Sequence, residues 1–411
     1  MDHPPRVVVF DVLRGIAILL VLGRHMAAPA PDVSGLFKHG ANLWIQVGWI
    51  GVDLFFVLSG FLVSSLLFTE YQRHGSVDIV RFLVRRGFKI YPGFYFMILV
   101  TVLILVMGGA FDVAMMAKLL AEVLYLQSYM PGLWNHTWSL AVEEHFYLLL
   151  AASVYAAASR YRRGPEPDPF RRFLRLAGLI VLAITLGRSL SPYVSRYVYG
   201  WEPNFTHLRL ETHARIDTLT VGVIVSYLYH FQRDSLLETV RRHRVVLTMA
   251  SVVLLLPPFF WPLDQSAVMP SVGLLSIAIG FAGILLVCLT STGRPLGRPA
   301  TIGRATSSLA SIGFHSYSIY LWHMPVQIVL MPILVAALLP DTATPDMKFA
   351  FKTGVYLSAS VIVGVWIGRL IEQPALSLRD RFFPTRAGGL AASANVPDAP
   401  QQWVPITPSP R

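Results

Sequence analysis

Residues 51–68 read GVDLFFVLSGFLVSSLLF, a run in which Asp53 is the only ionisable side chain. At 1.5 Å per residue a helix of this length covers about 27 Å, close to the roughly 30 Å of a bilayer's hydrocarbon core. Working outward from it, comparable runs recur near 7–28, 48–69, 90–109, 138–158, 173–190, 213–231, 245–262, 271–290, 313–337 and 350–371. The pattern predicts an all-α polytopic membrane bundle of about ten transmembrane helices. Composition agrees, since 54% of the 411 residues are hydrophobic and 14% are charged, against roughly 25% charged in soluble domains.

The formal charge of +11 is mostly arginine and carries no nucleic-acid recognition motif, so nucleic acid is excluded as a partner and the lipid bilayer takes its place. Arg73, Arg81, Arg85, Arg86 and Lys89 lie between the second and third runs, and Arg160, Arg162, Arg163, Arg171 and Arg172 between the fourth and fifth. Arg233, Arg241, Arg242 and Arg244, then Arg294, Arg298 and Arg304, then Arg379, Arg381 and Arg386 fall on the same side. The positive-inside rule places that side, and both termini, in the cytoplasm. Residues 111–129 must then be an outer interfacial or re-entrant segment, because an eleventh span would invert every later loop. Residues 1–385 form one integral-membrane domain. From 386 to 411 the chain, rich in Ala, Pro and Ser, is expected to be a disordered cytoplasmic tail. A single cysteine, Cys288, allows no intrachain disulfide and no thiolate metal set, so no metal is expected.

Ionisable groups in lipid cost about 2.5–3.5 kcal/mol on insertion scales and therefore tend to face a bundle interior or carry function. In the first run Arg14 and His25 are eleven positions apart, about 20° out of register and roughly 16 Å apart along the axis. They share a face at different depths, and Asp11 precedes the arginine by one turn. Asp53 in the second run, Glu143 and Glu144 in the fourth, and Arg215 and Asp217 in the sixth lie at the depth of His25. Each alone could be a helix-end charge or a packing pair; together they indicate a site. His136, expected in a loop, and His145, expected to pack between helices, carry a weaker signal. The ninth run holds His323, with Tyr317 and Tyr320 able to bond across helices. On the inner side RRGFKIYP sets Arg85, Arg86 and Lys89 together, either as a positive-inside anchor or as a clamp for the phosphates of a nucleotide-bearing cofactor. No G-x-x-x-x-G-K-[ST], G-x-S-x-G or H-E-x-x-H pattern occurs, so ATP hydrolysis, lipase-type serine chemistry and zinc proteolysis lack their usual signatures.

Arg14 and His25, GVDLFFVLSGFL with Asp53, the segment from Arg85 to Pro92, TWSLAVEEHFY with Glu143, ARIDTLTVG with Arg215 and Asp217, SYSIYLWHMP with His323, and IEQP at Glu372 resemble, in order and spacing, the acyltransferase-3 family of integral-membrane O-acyltransferases. The resemblance covers residues 7 to about 380. It implies a ten-helix protein of the inner or plasma membrane that moves an acyl group from cytoplasmic acyl-CoA, acetyl-CoA foremost, to a hydroxyl of a glycan or glycolipid near the outer side. A macrolide-like natural product is the alternative acceptor. Some members carry a fused extracytoplasmic hydrolase-like domain, and the expectation here is action without one. Lys89 stands where many relatives have arginine.

The implied division of labour gives donor binding to Arg14, Arg85, Arg86 and Lys89. His25 is the general base, oriented by Asp53 or Glu143, and Arg215 or a tyrosine of the ninth run holds the oxyanion. Asp217, Tyr317 and His323 are further functional residues. Direct transfer and an acyl-histidine both remain open, and a proton-coupled transporter using the same polar residues as a relay is the competing class.

Overall fold

The computed structural model describes residues 8–161, 168–200, 205–263, 268–291, 303–340 and 342–386. Every regular element among them is helical. The first half contains α1 Val8–His25, α2 Gly35–Val47, α3 Ile50–His74, α4 Ile79–Met107, α5 Val113–Val123, α6 Trp138–Tyr161, α7 Arg171–Tyr197, α8 Phe205–Leu210 and α9 Thr212–Phe231. The second contains α10 Arg233–Arg242, α11 Arg244–Leu254, α12 Pro257–Phe260, α13 Leu274–Ser291, α14 Arg304–Phe314, α15 Ser316–Pro325, α16 Met331–Leu338, α17 Pro345–Ile367 and α18 Gln373–Phe382. Wide π-helical turns over Met269–Gly273, Val326–Leu330 and Gly368–Glu372 join α13, α16 and α18 to what precedes them.

Seven of the described helices or continuous helix runs are long and apolar enough to cross a membrane, or eight if the pair bent by 84° at residue 243 is one span. The expected ten includes that pair together with α1 and α9, whose Asp11, Arg14, Arg215 and Asp217 lower their apolarity. The protein is an all-α polytopic membrane protein. Leu99, Leu103, Leu182, Leu186, Ile362 and Trp366 remain exposed on it, as lipid-facing positions should. Arg162, Arg163, Arg294 and Arg298 of the expected basic loops lie outside the described residues, as does the expected tail from 387 onward. Arg386, which begins that tail, is described and pairs with Glu70 at 3.5 Å and Asp78 at 3.9 Å.

The buried centre is α3. Its Phe56, Phe61 and Phe68 are at most 1% exposed, and it packs against α1, α6, α9 and α13. The α3–α9 crossing is very close. A Cβ on Gly60 would lie 2.0 Å from the Leu219 carbonyl oxygen, and one on Gly222 would lie 2.2 Å from that of Val57. Only glycine fits there, and the parallel pairing it permits sets Asp53 beside Arg215 and Ser65 beside Ser226. α5, at about 16 Å, is too short to cross. After it the chain turns at Tyr125, whose φ of 56° makes it the one described non-glycine residue in the left-handed region, and returns His136 and Thr137 to the buried interior.

Candidate active site

Three cavities follow one another from the arginine-rich end of the bundle to the opposite end. A basic mouth of about 170 Å³ is lined by Arg81, Arg85, Arg86, Lys89, Arg379 and Arg386. It shares Arg86 and Lys89 with a middle chamber of about 130 Å³ that also holds Arg14, Glu143, Tyr147 and Tyr317. The middle chamber shares Val52 and Tyr320 with an outer chamber of about 510 Å³, where His25, Asp53, His136 and Arg215 line the wall. α1 therefore places Arg14 in one chamber and His25 in the next, as one helix face at two depths requires.

His323 is fully buried behind the wall of the outer chamber, its ring 4.9 Å from that of His25 and 4.9 Å from that of His136. His323 Nδ1 sits 2.6 Å from the Tyr320 carbonyl, which only a protonated Nδ1 can satisfy, so its Nε2 accepts. His25 Nδ1 lies 3.0 Å from the Val21 carbonyl and 3.3 Å from His323 Nε2. One N–H shared between these two acceptors leaves the lone pair on His25 Nε2, the form a general base needs. His136 Nε2 donates to the Leu321 carbonyl at 3.2 Å, and its Nδ1 has no partner. Burial, with His25 adding to it, pushes His136 down to about 3 against the opposing pull of that carbonyl, so the ring is neutral.

Arg215 donates to Asp53 Oδ1 at 2.7 Å, with the two side chains 2% and 0% exposed, and its guanidinium lies over the rings of Phe56 and Trp138. Its Nε and Nη1 have no partner, nor has Asp53 Oδ2. A buried unpaired donor costs about 1–3 kcal/mol, so donors left over at a cavity wall are free to meet a ligand atom or water. Trp49, Trp134 and Trp138 with Tyr129 and Tyr320 add aromatic faces to this chamber, and Gln127 and Asn135 add amides.

The middle chamber and mouth are organised by α4. Glu143 accepts from Tyr147 at 2.7 Å, and Tyr147 shares a 2.6 Å hydrogen bond with Ser59. Arg86 lies over the Tyr147 ring at 5.4 Å, and among the described residues no carboxylate is within ion-pair distance of it. Lys89 is ion-paired with Glu372, which also accepts from Ser318 at 2.7 Å. Arg85 pairs with Asp380 at 3.1 Å and donates to the Phe383 carbonyl. Tyr317 donates to the Ile90 carbonyl at 2.6 Å.

Several expectations need correction. Glu143 is not beside His25, because α6 turns it into the middle chamber towards Tyr147. Asp53 is taken by Arg215. The role of orienting His25 falls instead to the Val21 carbonyl and His323. Asp217 lines none of these cavities: it is ion-paired with Arg188, both at most 1% exposed, and ties α7 to α9. Arg85, Lys89 and Arg14 have carboxylate partners, Arg14 its neighbour Asp11 at 3.5 Å, so among the described residues Arg86 is the cation of the middle chamber without one. Tyr320 donates to the His136 carbonyl at 2.5 Å, so its hydroxyl hydrogen is already engaged, whereas Arg215 keeps unpartnered donors. Of the weak signals, His145 bonds Thr212 across helices at 2.8 Å as a packing residue, but His136 belongs to the site.

Sequence reading missed Glu122. It is fully buried and its Oε1 accepts from the Trp134 N–H at 3.0 Å and the Thr137 hydroxyl at 2.8 Å, pinning the segment that carries His136. Burial raises its carboxyl to about 7 despite those hydrogen bonds. Its only sequence signal was a carboxylate in an otherwise apolar stretch. Among the described residues no three His, Cys, Asp or Glu side chains are placed to hold a metal ion.

A family model described as an acyltransferase domain, acyltransferase-3, matches residues 7–394. Among curated proteins the chain is similar to the peptidoglycan O-acetyltransferase OatA of Listeria monocytogenes, 26% identical over 388 residues, covering 89% of this chain and 55% of the relative. It is similar also to the O-acetyltransferase OatA of Staphylococcus aureus, 25% identical, with 84% and 58% covered. A third relative is a putative peptidoglycan O-acetyltransferase, YrhL, of Bacillus subtilis, 27% identical with 79% and 49% covered. The chain spans about half the length of the curated relatives it matches. No solved structure matches it.

Proposed function

Because the chain belongs to the acyltransferase-3 family, we propose that it transfers an acyl group, acetyl by analogy with its relatives, from cytoplasmic acyl-CoA to a glycan hydroxyl at the outer face of the inner or plasma membrane. The observation that carries this reading is the file of cavities from a basic mouth, past Arg86 and Arg14, to the His25 chamber. Leu66 lines the mouth and Val52 the outer chamber; the fourteen positions from one to the other rise about 21 Å along α3. A nucleotide-bearing thioester is a long, narrow molecule with its anionic end far from its reactive end, and such a file suits it. The aromatic faces and amides of the outer chamber suit a sugar.

In the reaction, the acceptor hydroxyl oxygen attacks the thioester carbonyl carbon while His25 Nε2 takes its proton. Arg215 N–H groups meet the oxygen that becomes negative, and Asp53 fixes their direction. Collapse breaks the carbon–sulfur bond, and the thiolate recovers the proton from His25, giving an ester and a free thiol. His323 and the Val21 carbonyl hold the Nδ1–H, so that Nε2 is the atom that takes the proton and returns it.

The test is transfer of labelled acetyl from acetyl-CoA to glycan in membranes, with protein level followed by immunoblot. His25→Ala should lose at least about 10²-fold, the usual size of a general-base contribution. Turnover equal to wild type by this variant would remove His25 from the mechanism. Label appearing only on a macrolide-type acceptor would overturn the glycan assignment and keep the chemistry.

A further inference from the structure

The segment from Gln127 to His136 supplies one wall of the outer chamber, and it is folded around a single buried carboxylate. Glu122 accepts from the Trp134 N–H and the Thr137 hydroxyl, and the wrap is so close that a Cβ on Gly132 would lie 2.6 Å from its Oε1. Two side chains of this wall share one arrangement. His136 Nε2 donates to the Leu321 carbonyl at 3.2 Å, and Gln127 Nε2 donates to the Thr137 carbonyl at 3.2 Å. A carbonyl can only accept, so each side chain spends its donor on backbone and keeps its acceptor, Nδ1 of a neutral imidazole or Oε1 of an amide. Both acceptor atoms are without a partner, on side chains 2% and 6% exposed. The His136 backbone is held as firmly, since its carbonyl accepts from the Tyr320 hydroxyl, which accepts in turn from Ser139 at 2.6 Å.

An alcohol whose only polar group is the hydroxyl that His25 deprotonates leaves both of these lone pairs unpaired. One that carries a second O–H or N–H beside that hydroxyl satisfies them. We propose that His136 and Gln127 position the alcohol to be acylated, each accepting a hydrogen bond from a group other than the reacting hydroxyl, so that the chamber selects an alcohol bearing a second donor over a simple one. The inference rests on the reading of this chamber as the acyl-transfer site and adds what holds the second substrate within it. His25 remains the base, and neither His136 nor Gln127 takes a proton. Selection follows because a fixed, buried acceptor rejects a ligand that offers it nothing.

The experiment uses the full chain in phosphatidylcholine nanodiscs, labelled acetyl-CoA, and glycerol and propan-1-ol as competing probes of equal chain length. The readout is the ratio of glycerol ester to propyl ester, from which any loss of folded protein cancels. His136→Phe, which keeps a ring but no acceptor, and Gln127→Leu should each lower that ratio about tenfold, the usual effect of one hydrogen bond, with the KM for acetyl-CoA unchanged. A fall in one variant alone would confine the role to that residue. Should His136→Phe fail to fold, Gln127→Leu, which spares the Glu122 contacts, carries the same test. A ratio equal in wild type and both variants, as a wall covered by water would give, would overturn the proposal. Wild-type protein that acetylates neither alcohol would strike the acyl-transfer reading itself, whereas transfer with an unmoved ratio strikes this inference alone.

Discussion

Asp53 and Arg215 form a buried ion pair whose arginine keeps two N–H-bearing atoms unspent at the chamber wall, so structure and chemistry meet in one side chain. Removing one member of such a pair strands a charge at a cost of about 3–5 kcal/mol, whereas replacing both by apolar residues is often neutral. Arg215→Leu should therefore lower both the melting temperature in detergent and turnover. Asp53→Leu with Arg215→Leu should recover the melting temperature but not turnover, since the oxyanion donor is still missing. A double variant as active as wild type would reduce the pair to packing. Arg14, one chamber below His25, should separate from it kinetically. Arg14→Ala is expected to raise the KM for acetyl-CoA more than it lowers kcat, and an effect confined to kcat would remove Arg14 from donor binding.

Segments of the chain act through what pins them. α5 and the turn after it hold His136 in place through Glu122, whose carboxyl is raised to about 7 from an ordinary 4.5. A raised carboxyl favours the protonated folded form. Its contribution, roughly 3 kcal/mol, is complete below about pH 4.5 and is lost as pH rises through about 7. Glu122→Gln keeps the acceptor for Trp134 and Thr137 without the ionisation. The fall in stability between pH 6 and 8 should be shallower in this variant than in wild type, as read by thermal melts across that range, and parallel profiles would exclude Glu122 as the titrating group. At the α3–α9 crossing, a Cβ on Gly60 would meet the Leu219 carbonyl oxygen at 2.0 Å. Gly60→Ala should destabilise by about 1–3 kcal/mol as an overpacked core position does, and it should cost activity through the Asp53–Arg215 register. An unshifted melting curve would show that the helices part freely there.

Taken whole, the molecule has an arginine-rich end and an opposite end carrying His25, and the proposed donor and acceptor routes require these to face cytoplasm and exterior. In a chain with Cys288→Ser, a cysteine at exposed Met130 should label from outside, and one at exposed His74 only after the cytoplasmic face is opened to reagent. The reverse pattern would invert the route of the donor.

The apolar runs by themselves determined the all-α membrane bundle, because a helix that must satisfy its own backbone in lipid leaves a length and composition signature that no partner is needed to read. Arg14 and His25 were legible for a similar reason: they sit on one helix, and helical periodicity alone places them on one face at two depths. Residues on different helices were not legible in that way. That Asp53 serves Arg215, that Glu143 points to Tyr147, that Asp217 belongs to Arg188, and that Glu122 holds the strand of chain bearing His136 all depend on which helix faces meet. Depth along a span follows from counting residues, but rotation about the helix axis is fixed by contacts such as Gly60 on Leu219, and only the packed bundle supplies those.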